Sequence, residues 1–559
     1  LFLNLSPIML YVSFISAFVL FFIPGFAVMS FIRNLTLFER IALSLAFGIL
    51  ILSSVTFMLS KFGVRINNFV LLVSLLSSPL IWFNRKNFYF NEVPNKKSNR
   101  FDLDFYDLLA NLIGILAFSM MLIPISLSST PYGEADAAWH YFASNYIRDN
   151  GKLPDVVPGF AHFYGGEKYN YPPLTHINMA LFGNLFGIPQ LYSPYIYVAL
   201  LHMILVLGVY VLVKKHFGKI EAIGALVFVA VAKRLIFSML SGQWAYYTAL
   251  ATLPISIFLI LKFYKEQSIK NALLLGLLFG LQVYAHPQIA GHSILIFVIY
   301  GIFWCLVNRK IPKNFYLIPV TFLIAIPAIL SPQIIDTKRF QAPVNFYLWY
   351  PVGEYDNGYF AGYPTDWYIF SLVNQHVLYF VVAGVISWFL FFRRDYLLIS
   401  LLISLLVLFH LPVDNAILSR FMVNEFILFS ILAAISFSLL KLFTIKKIQT
   451  VVPFIVIAIL VIFVYSDLVL LKRFLYGFSG QSRMTEDEFN LLESMKNLPE
   501  GKTFSLGYYK FARQASWAPY LSGHTFYFPD INEINNTLTI SFQNNTKYLF
   551  LSISYIPPE

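Results

Sequence analysis

The chain has 559 residues, 58% hydrophobic, 18% aromatic and only 12% charged, about half the charged fraction of a soluble protein. Apolar runs of about 18 residues or more recur, which makes it a polytopic helical membrane protein whose first partner is the lipid bilayer. A formal charge of +11 would suggest nucleic acid as a partner in a soluble protein; here most of it sits in short loops between apolar runs, as the positive-inside rule expects, and no nucleic acid is implied. Cys305 is the only cysteine, so no intrachain disulfide can form.

In chain order, the first expected spans are 9–30, 41–59 and 69–83. The chain opens on Leu1, and no A-x-A-like cleavage site follows the first apolar run, so that run is kept as a span. The strongly basic segment 84–100 is expected on the cytoplasmic side. Span 106–127 then delivers the chain to the stretch 131–178, the longest polar, turn-rich interruption of the sequence. Glu134, Asp136, His140, Arg148, His162, Glu167, Lys168 and His176 crowd into it. Such groups are costly near a membrane unless a site or water uses them.

The apolar run 174–186 is too short to cross comfortably and is expected to lie at the interface. If it crossed, every later basic loop would land outside. Span 192–213 leads inward to Lys214 and Lys215, and further spans follow at 222–240, 245–263, 270–285, 289–307, 314–332, 374–392, 396–411, 417–440 and 450–470. That gives about 14 crossings with both termini outside. The loops KKHFGK, KFYKEQSIK, NRKIPK, FFRRD and KLFTIKK are basic and fall inside, whereas the turns SGQWAYY, AHPQIAGH and LPVDN carry no Lys or Arg and fall outside. A long outer loop is expected at 334–373.

From about residue 471 the character changes. MTEDEFNLLESMKNLPEGKTFSLGYY has a capping signal at Thr485, an apolar three-to-four spacing, a Pro-Glu-Gly stop and a β-like run. A small α/β domain on the outer side is expected at 471–559, beside an N-terminal transmembrane module at 1–105 and a core at 106–470. Asn535 and Asn544 lie in N-x-T sequons, but so does Asn34 on the opposite expected side, so the motif decides nothing.

Asp136, His140, Ser144 and Arg148 are spaced i, i+4, i+8, i+12 and form one polar stripe of a helix, with Trp139, Phe142 and Tyr146 on another face. Gly151 and Pro154 stop it. The product is an amphipathic helix on the outer membrane surface, with Glu134 and Asp136 at its start, where backbone N–H groups are free. A helix-capping role explains Asp136 equally well on position alone, and His140 reads first as an interfacial histidine bonded to a neighbour, ahead of a ligand. The same stretch, however, ends in Tyr169-Asn170-Tyr171-Pro172-Pro173 and His176, which a bare cap does not explain.

Acidic residues after the span into the first large outer loop, an amphipathic helix, then YxYPPLxH resemble the GT-C superfamily of membrane glycosyltransferases, which includes oligosaccharyltransferases, protein O-mannosyltransferases and the aminoarabinose transferase of lipid A. The outer turns SGQWAYYTALATLP, AHPQIAGH and LPVDNAILSRF fit the same pattern, and the tail, with ASWAPYLSGHTF, is similar to archaeal and bacterial members. The resemblance covers residue 106 onward. It implies an all-α polytopic fold and transfer of a sugar from a polyprenyl- or dolichyl-phosphate donor to a lipid, glycan or protein acceptor on the extracytoplasmic face of the cell membrane. It implies Asp136 as the catalytic base, and Glu134, His140, Tyr171, His176, Gln243 and His286 as substrate contacts. A divalent metal ion is the one cofactor it leaves open, with Glu134 and Asp136 as ligands. The sequence departs from the oligosaccharyltransferase pattern in lacking a second D-x-D or E-x-D and a W-W-D signature, which favours a lipid-monophosphate donor. Sugar transfer from a lipid phosphate needs a carboxylate for the acceptor proton and cations for the departing phosphate. Arg420, Lys338 and Arg339 are the candidates for the latter, with Lys233 and Arg234 in an apolar run where charge implies a partner or water. Arg420 reads equally as a snorkelling residue. His286 and His292 are at i, i+6, wrong for a metal pair on one helix face. The rival classes are a transporter or flippase for a lipid-linked saccharide, disfavoured because no repeat relates the two halves, and a non-catalytic membrane subunit.

Overall fold

The structure is a computed structural model that describes residues 20–32, 35–63, 65–66, 105–123, 135–157, 167–168, 171–186, 192–240, 242–329, 375–409, 427–442, 486–495, 497–499, 502–506, 525–527 and 548–551, with isolated positions 15, 77, 79–81 and 424. Expectations for the loop 334–373, the span 450–470, the basic segment 84–100 and the residues Glu134, Lys338, Arg339 and Arg420 lie outside the described residues.

The described chain is dominated by apolar helices. We number them α1 (Leu37–Ser60), α2 (Phe105–Met121), α3 (Ala135–Asn150), α4 (Leu174–Phe186), α5 (Ser193–His216), α6 (Lys219–Ala230), α7 (Lys233–Leu240), α8 (Trp244–Leu250), α9 (Leu253–Glu266), α10 (Ile269–Ala285), α11 (Pro287–Asn308), α12 (Gln375–Phe391), α13 (Tyr396–Phe409) and α14 (Glu486–Met495). Four segments are long and apolar enough to cross a membrane: α1, α5, α8 with α9, and α11. Shorter apolar helices include Leu20–Met29, the Leu317–Ile329 segment and Ile427–Leu440.

Local chemistry sets several of these boundaries. Helix α1 starts before its hydrophobic run because Thr36 and Glu39 close a capping box. The Arg40 guanidinium reaches back to the carbonyl of Met29 at 2.6 Å, satisfying the end of the preceding helix. The two helices cross so closely that a Cβ on Gly25 would lie 1.7 Å from the Ser44 carbonyl oxygen, the small-residue contact that lets membrane helices touch by backbone.

One expected span is divided. The run 222–240 breaks at Val231–Ala232 into α6 and α7. A break inside a dry bundle frees carbonyls that need donors. His202 of α5 supplies one: its Nε2 donates to the Ala230 carbonyl at 3.0 Å, while its Nδ1 accepts from the Tyr247 hydroxyl at 3.0 Å. Lys233 and Arg234 therefore begin a new helix and do not sit mid-span.

The basic loops gather at one end. Lys214 at the end of α5 meets Asp107 at the start of α2 at 2.6 Å, and Lys215 meets Glu39 at the start of α1 at 2.9 Å. His216 meets Asp395 between α12 and α13 at 2.5 Å. The loop after α9 bonds the loop after α11, with Lys313 N–H donating to Gln267 Oε1 at 2.9 Å. Helix α5, with 24 residues, spans about 36 Å, so its other end is a full bilayer thickness away. At that opposite end, Ile66 N–H donates to the Gly151 carbonyl at 2.9 Å, joining the close of α1 to the close of α3.

Helix α4 keeps the bounds of its apolar run, but protein surrounds it, in place of the lipid interface expected on one face. Every side chain from Leu174 to Gly183 is buried. Its polar residues explain this: Asn178 Nδ2 donates to the Ile49 carbonyl of α1 (2.9 Å) and the Tyr197 hydroxyl of α5 (3.0 Å), and Thr175 donates to Thr248 of α8 (2.8 Å).

In the tail, β3 (Lys502–Leu506) lies between β4 (Thr525–Tyr527) and β5 (Tyr548–Leu551), both parallel to it. Earlier in the chain than α4, two short strands form a minimal antiparallel pair, β1 (Val156–Val157) with β2 (Glu167–Lys168). Leu492 and Met495 of α14 are buried in the main hydrophobic core, and Glu493 acts electrostatically on Tyr141 of α3. The tail helix thus sits over α3.

Candidate functional site

The site end is built around α3. Its polar stripe turns inward, not toward water: His140 and Ser144 are 1% and 2% exposed, whereas Trp139, Phe142 and Tyr146 are only partly buried. The cause is a partner on α4. His140 Nδ1 lies 2.6 Å from His176 Nε2, and His176 is fully buried. One ring must donate and the other accept, so the two cannot both be charged. Burial, then the His140 charge, holds His176 well below the ordinary imidazole range. At the next residue of α3, burial pushes the Tyr141 phenol up to about 12, with Glu493 adding to the shift.

Aromatic rings wall this pair. Trp244 of α8 stacks on His140 at 5.7 Å, with Tyr195 of α5 edge-on to Trp244 at 5.4 Å. Tyr171 lies 4.8 Å from Trp139 and 5.3 Å from His140, and Trp139 is 5.0 Å from His176. Three of the residues singled out in the sequence, His140, Tyr171 and His176, are therefore one cluster. Trp139, Trp244 and Tyr195 belong to it as well: periodicity put Trp139 on a different face from His140, and neither Trp244, in the outer turn SGQWAYY, nor Tyr195 stood out as a partner of His140.

Asp136 is on the first turn of α3, one turn from His140. That turn is held by the loop before α8. Gly242 has φ +100°, and a Cβ there would lie 2.4 Å from Ala137 N and 2.9 Å from its Cα. Only glycine lets the loop backbone press so closely on α3. The contact sets Gln243, the residue preceding α8, beside the turn that carries Asp136. Gln243 Oε1 is buried without a hydrogen-bond partner among the described residues.

His286 joins α10 to α11, capping both. It is 5% exposed, and its ring meets the edge of Tyr246, on the first turn of α8, at 5.2 Å. His292 lies within α11 as a core histidine, bonded to Ser404 and Asn424. Among the described residues no three His, Cys, Asp or Glu side chains converge on a metal position; the side chains of Glu134 and Asp136 are outside that description.

This assembly places one carboxylate-bearing helix start, a buried imidazole pair and an aromatic wall at the end of the bundle opposite the basic loops. Among solved structures, the crystal structure of ArnT from Cupriavidus metallidurans in the apo state aligns with 79% of this chain and 89% of that chain, at 13% identity and a TM-score of 0.46. No curated protein matches the sequence. The description "Family of unknown function (DUF6541)" belongs to a family model that matches residues 18–419, well over half of the chain, and the chain is a member of that family.

Proposed function

We propose that the chain is a membrane glycosyltransferase of the GT-C type, moving a sugar from a polyprenyl-phosphate donor to a lipid, glycan or protein acceptor at the extracytoplasmic end of the bundle. The observation that supports the reading is the close approach of Gly242 to the first turn of α3, the turn that carries Asp136, one turn from the His140–His176 pair. A single displacement by the acceptor hydroxyl would invert the anomeric centre, with Asp136 taking the proton. The free N–H groups at a helix start favour an ionised carboxylate there. Trp139 and Tyr171, which are only partly buried, offer ring faces of the kind that sugar C–H edges pack on. Arg420, Lys338 and Arg339 are assigned to the phosphate, and Glu134, Gln243 and His286 to the sugar or acceptor. Were a divalent metal ion to take part, Glu134 and Asp136 would hold it, and it would supply positive charge for the departing phosphate. We take the chain as about 14 spans, with divisions near 105 and 470, and the strands β3–β5 with α14 as a small α/β unit on the site side.

The test is transfer itself. Purified protein in liposomes receives a panel of undecaprenyl-phosphate-linked hexoses and pentoses together with a membrane lipid and glycan extract. The reading expects release of undecaprenyl phosphate from one donor, with an inverted glycosidic linkage in the product. Turnover of none of them, with the folded protein confirmed, removes the reading.

A further inference from the structure

The basic-loop end of the bundle, opposite the proposed site, carries a surface that sugar transfer does not use. From Gln267 to Ile335 the sequence has no Asp or Glu, and from Trp367 to Arg394 it has none either. Two turns within those stretches bring cations to the surface: Arg309, Lys310 and Lys313 after α11, and Arg393 and Arg394 between α12 and α13. All five are exposed, and among the described residues none of them makes an ion pair. The acids that flank these turns are already committed. Asp395 accepts from His216 Nε2 and from the Leu397 N–H, and Glu266 pairs with Lys262 and accepts from Asn271 Nδ2.

The first turn is held in place on both sides. Gln267, at φ +47°, closes α9; its Oε1 accepts from the Lys313 N–H at 2.9 Å and its carbonyl from Asn314 Nδ2 at 2.8 Å. Phe315 then stacks on Phe297 of α11 at 5.8 Å. The Lys310 ammonium lies 5.7 Å from the Trp304 ring, which in turn leans on Tyr264 of α9. Phe303 of α11 stacks on Tyr396 at 6.0 Å, and so ties the end of α11 to the turn that carries Arg393 and Arg394. Helix α11 is apolar and long enough to cross a membrane and ends at Asn308, so these cations lie at headgroup depth.

Apolar surface leads up to them. Val298, Ile302 and Leu306 are exposed at i, i+4 and i+8 on one face of α11, and Lys310 follows four residues later. Ile311 and Tyr316, 77% and 68% exposed, flank the cations. Membrane orientation asks only that this end be positive. It does not ask that the turn be locked to a neighbouring loop, or that the adjoining carboxylates be drawn off to other partners.

We propose that these two turns form a headgroup site for an anionic phospholipid in the leaflet at the basic-loop end. Arg309, Lys310 and Lys313 bind its phosphate, Arg393 and Arg394 add to the positive field, and an acyl chain lies on the Val298–Ile302–Leu306 stripe. The site is independent of the sugar-transfer reading.

The experiment is a lipid titration that needs no turnover. Delipidated protein in dodecyl maltoside is titrated with dioleoylphosphatidylglycerol or dioleoylphosphatidylcholine, and bound lipid is counted by native mass spectrometry. Wild type should retain the glycerol lipid and not the choline lipid. Each juxtamembrane cation removed should weaken binding about fivefold, so Arg309→Gln/Lys310→Gln/Lys313→Gln should lose roughly a hundredfold. Lys310→Gln alone decides the matter if the triple variant does not fold. Exchanging Arg for Lys and Lys for Arg at the same three positions should keep binding. Lys61→Gln/Arg65→Gln/Lys152→Gln, which removes three exposed cations at the opposite end, should leave it unchanged. Equal retention of the two lipids by wild type, undiminished binding in the folded Arg309, Lys310 and Lys313 variants, or an equal loss in the remote variant overturns the proposal. So does displacement of the lipid by millimolar inorganic phosphate, which would make this an anion site with no use for the apolar stripe.

Discussion

Gly242→Ala tests the placement of Asp136 most severely with the least chemistry. The added methyl would sit 2.4 Å from Ala137 N, where ordinary contact begins at 3.4 Å. The obstacle is backbone, so no side-chain rotation relieves it, and the loop or the start of α3 must retreat by about 1 Å. Alanine at φ +100° adds a left-handed penalty of about 1–2 kcal/mol, and overpacking against an unyielding neighbour costs about 1–3 kcal/mol. A displacement of that size at a catalytic group costs about a hundredfold in rate. Gly63→Ala separates the two effects, because Gly63 has φ +80° and nothing within 4 Å; it should carry the conformational penalty alone and leave turnover intact. Transfer rate and melting temperature in detergent are the assays. Gly242→Ala should lose about a hundredfold in kcat and melt earlier than Gly63→Ala. A Gly242→Ala protein that matches Gly63→Ala in both would mean that the clamp on α3 does not position the site.

Three further outcomes follow from the packing. His176 is held neutral in the fold, so its contribution is complete above the unfolded imidazole pKa of about 6.5 and is lost as pH falls below it, by about 1.4 kcal/mol per pH unit until the lower folded pKa is reached; melting curves from pH 8 to 5 should show this slope flattened in His176→Gln, and identical slopes would refute it. Lys214, with a side chain 10% exposed, serves both Asp107 and Glu39; Lys214→Met should cost about 3–5 kcal/mol by leaving a buried carboxylate uncompensated, and adding Asp107→Leu should recover most of it. In a Cys305→Ser background, a cysteine at exposed Asp149 should react with an impermeant maleimide in intact cells and one at exposed Lys310 should not; the reverse pattern would put the site on the cytoplasmic face. Ser144, although in the same helix, is buried and unsuited to labelling.

Much of this architecture was legible because membrane burial writes itself into hydrophobicity. The apolar run at 174–186 gave α4 residue for residue, since Pro172-Pro173 precedes it and Pro189 follows. The basic loops gave the common end that Lys214, His216 and Lys313 now share. The break at Val231–Ala232 was legible only in part: Lys233 and Arg234 marked the run as unusual, but the residues before them are apolar, and the freed carbonyl is satisfied by His202, which comes from a different helix. Periodicity likewise showed that Asp136, His140 and Ser144 share a stripe but not that the stripe faces protein, because that depends on His176, 36 residues away from His140. Asn424 gave no signal at all, since its hydrogen-bond partners are Tyr246 and His292, whose separation from it in the chain exceeds any local pattern.

The central claim is that Asp136 takes the acceptor's proton, and turnover by Asp136→Asn measures it most directly. The substitution keeps the size of the side chain and its capping capacity and removes only the basicity. Purified Asp136→Asn, confirmed by melting temperature and by undecaprenyl phosphate binding, should transfer sugar about 10²–10⁴-fold more slowly than wild type, the usual cost of losing a general base. His140→Ala should lose less, because its imidazole is assigned to positioning. Near-normal transfer by a folded, donor-binding Asp136→Asn protein would contradict the account and pass the role of base to Glu134.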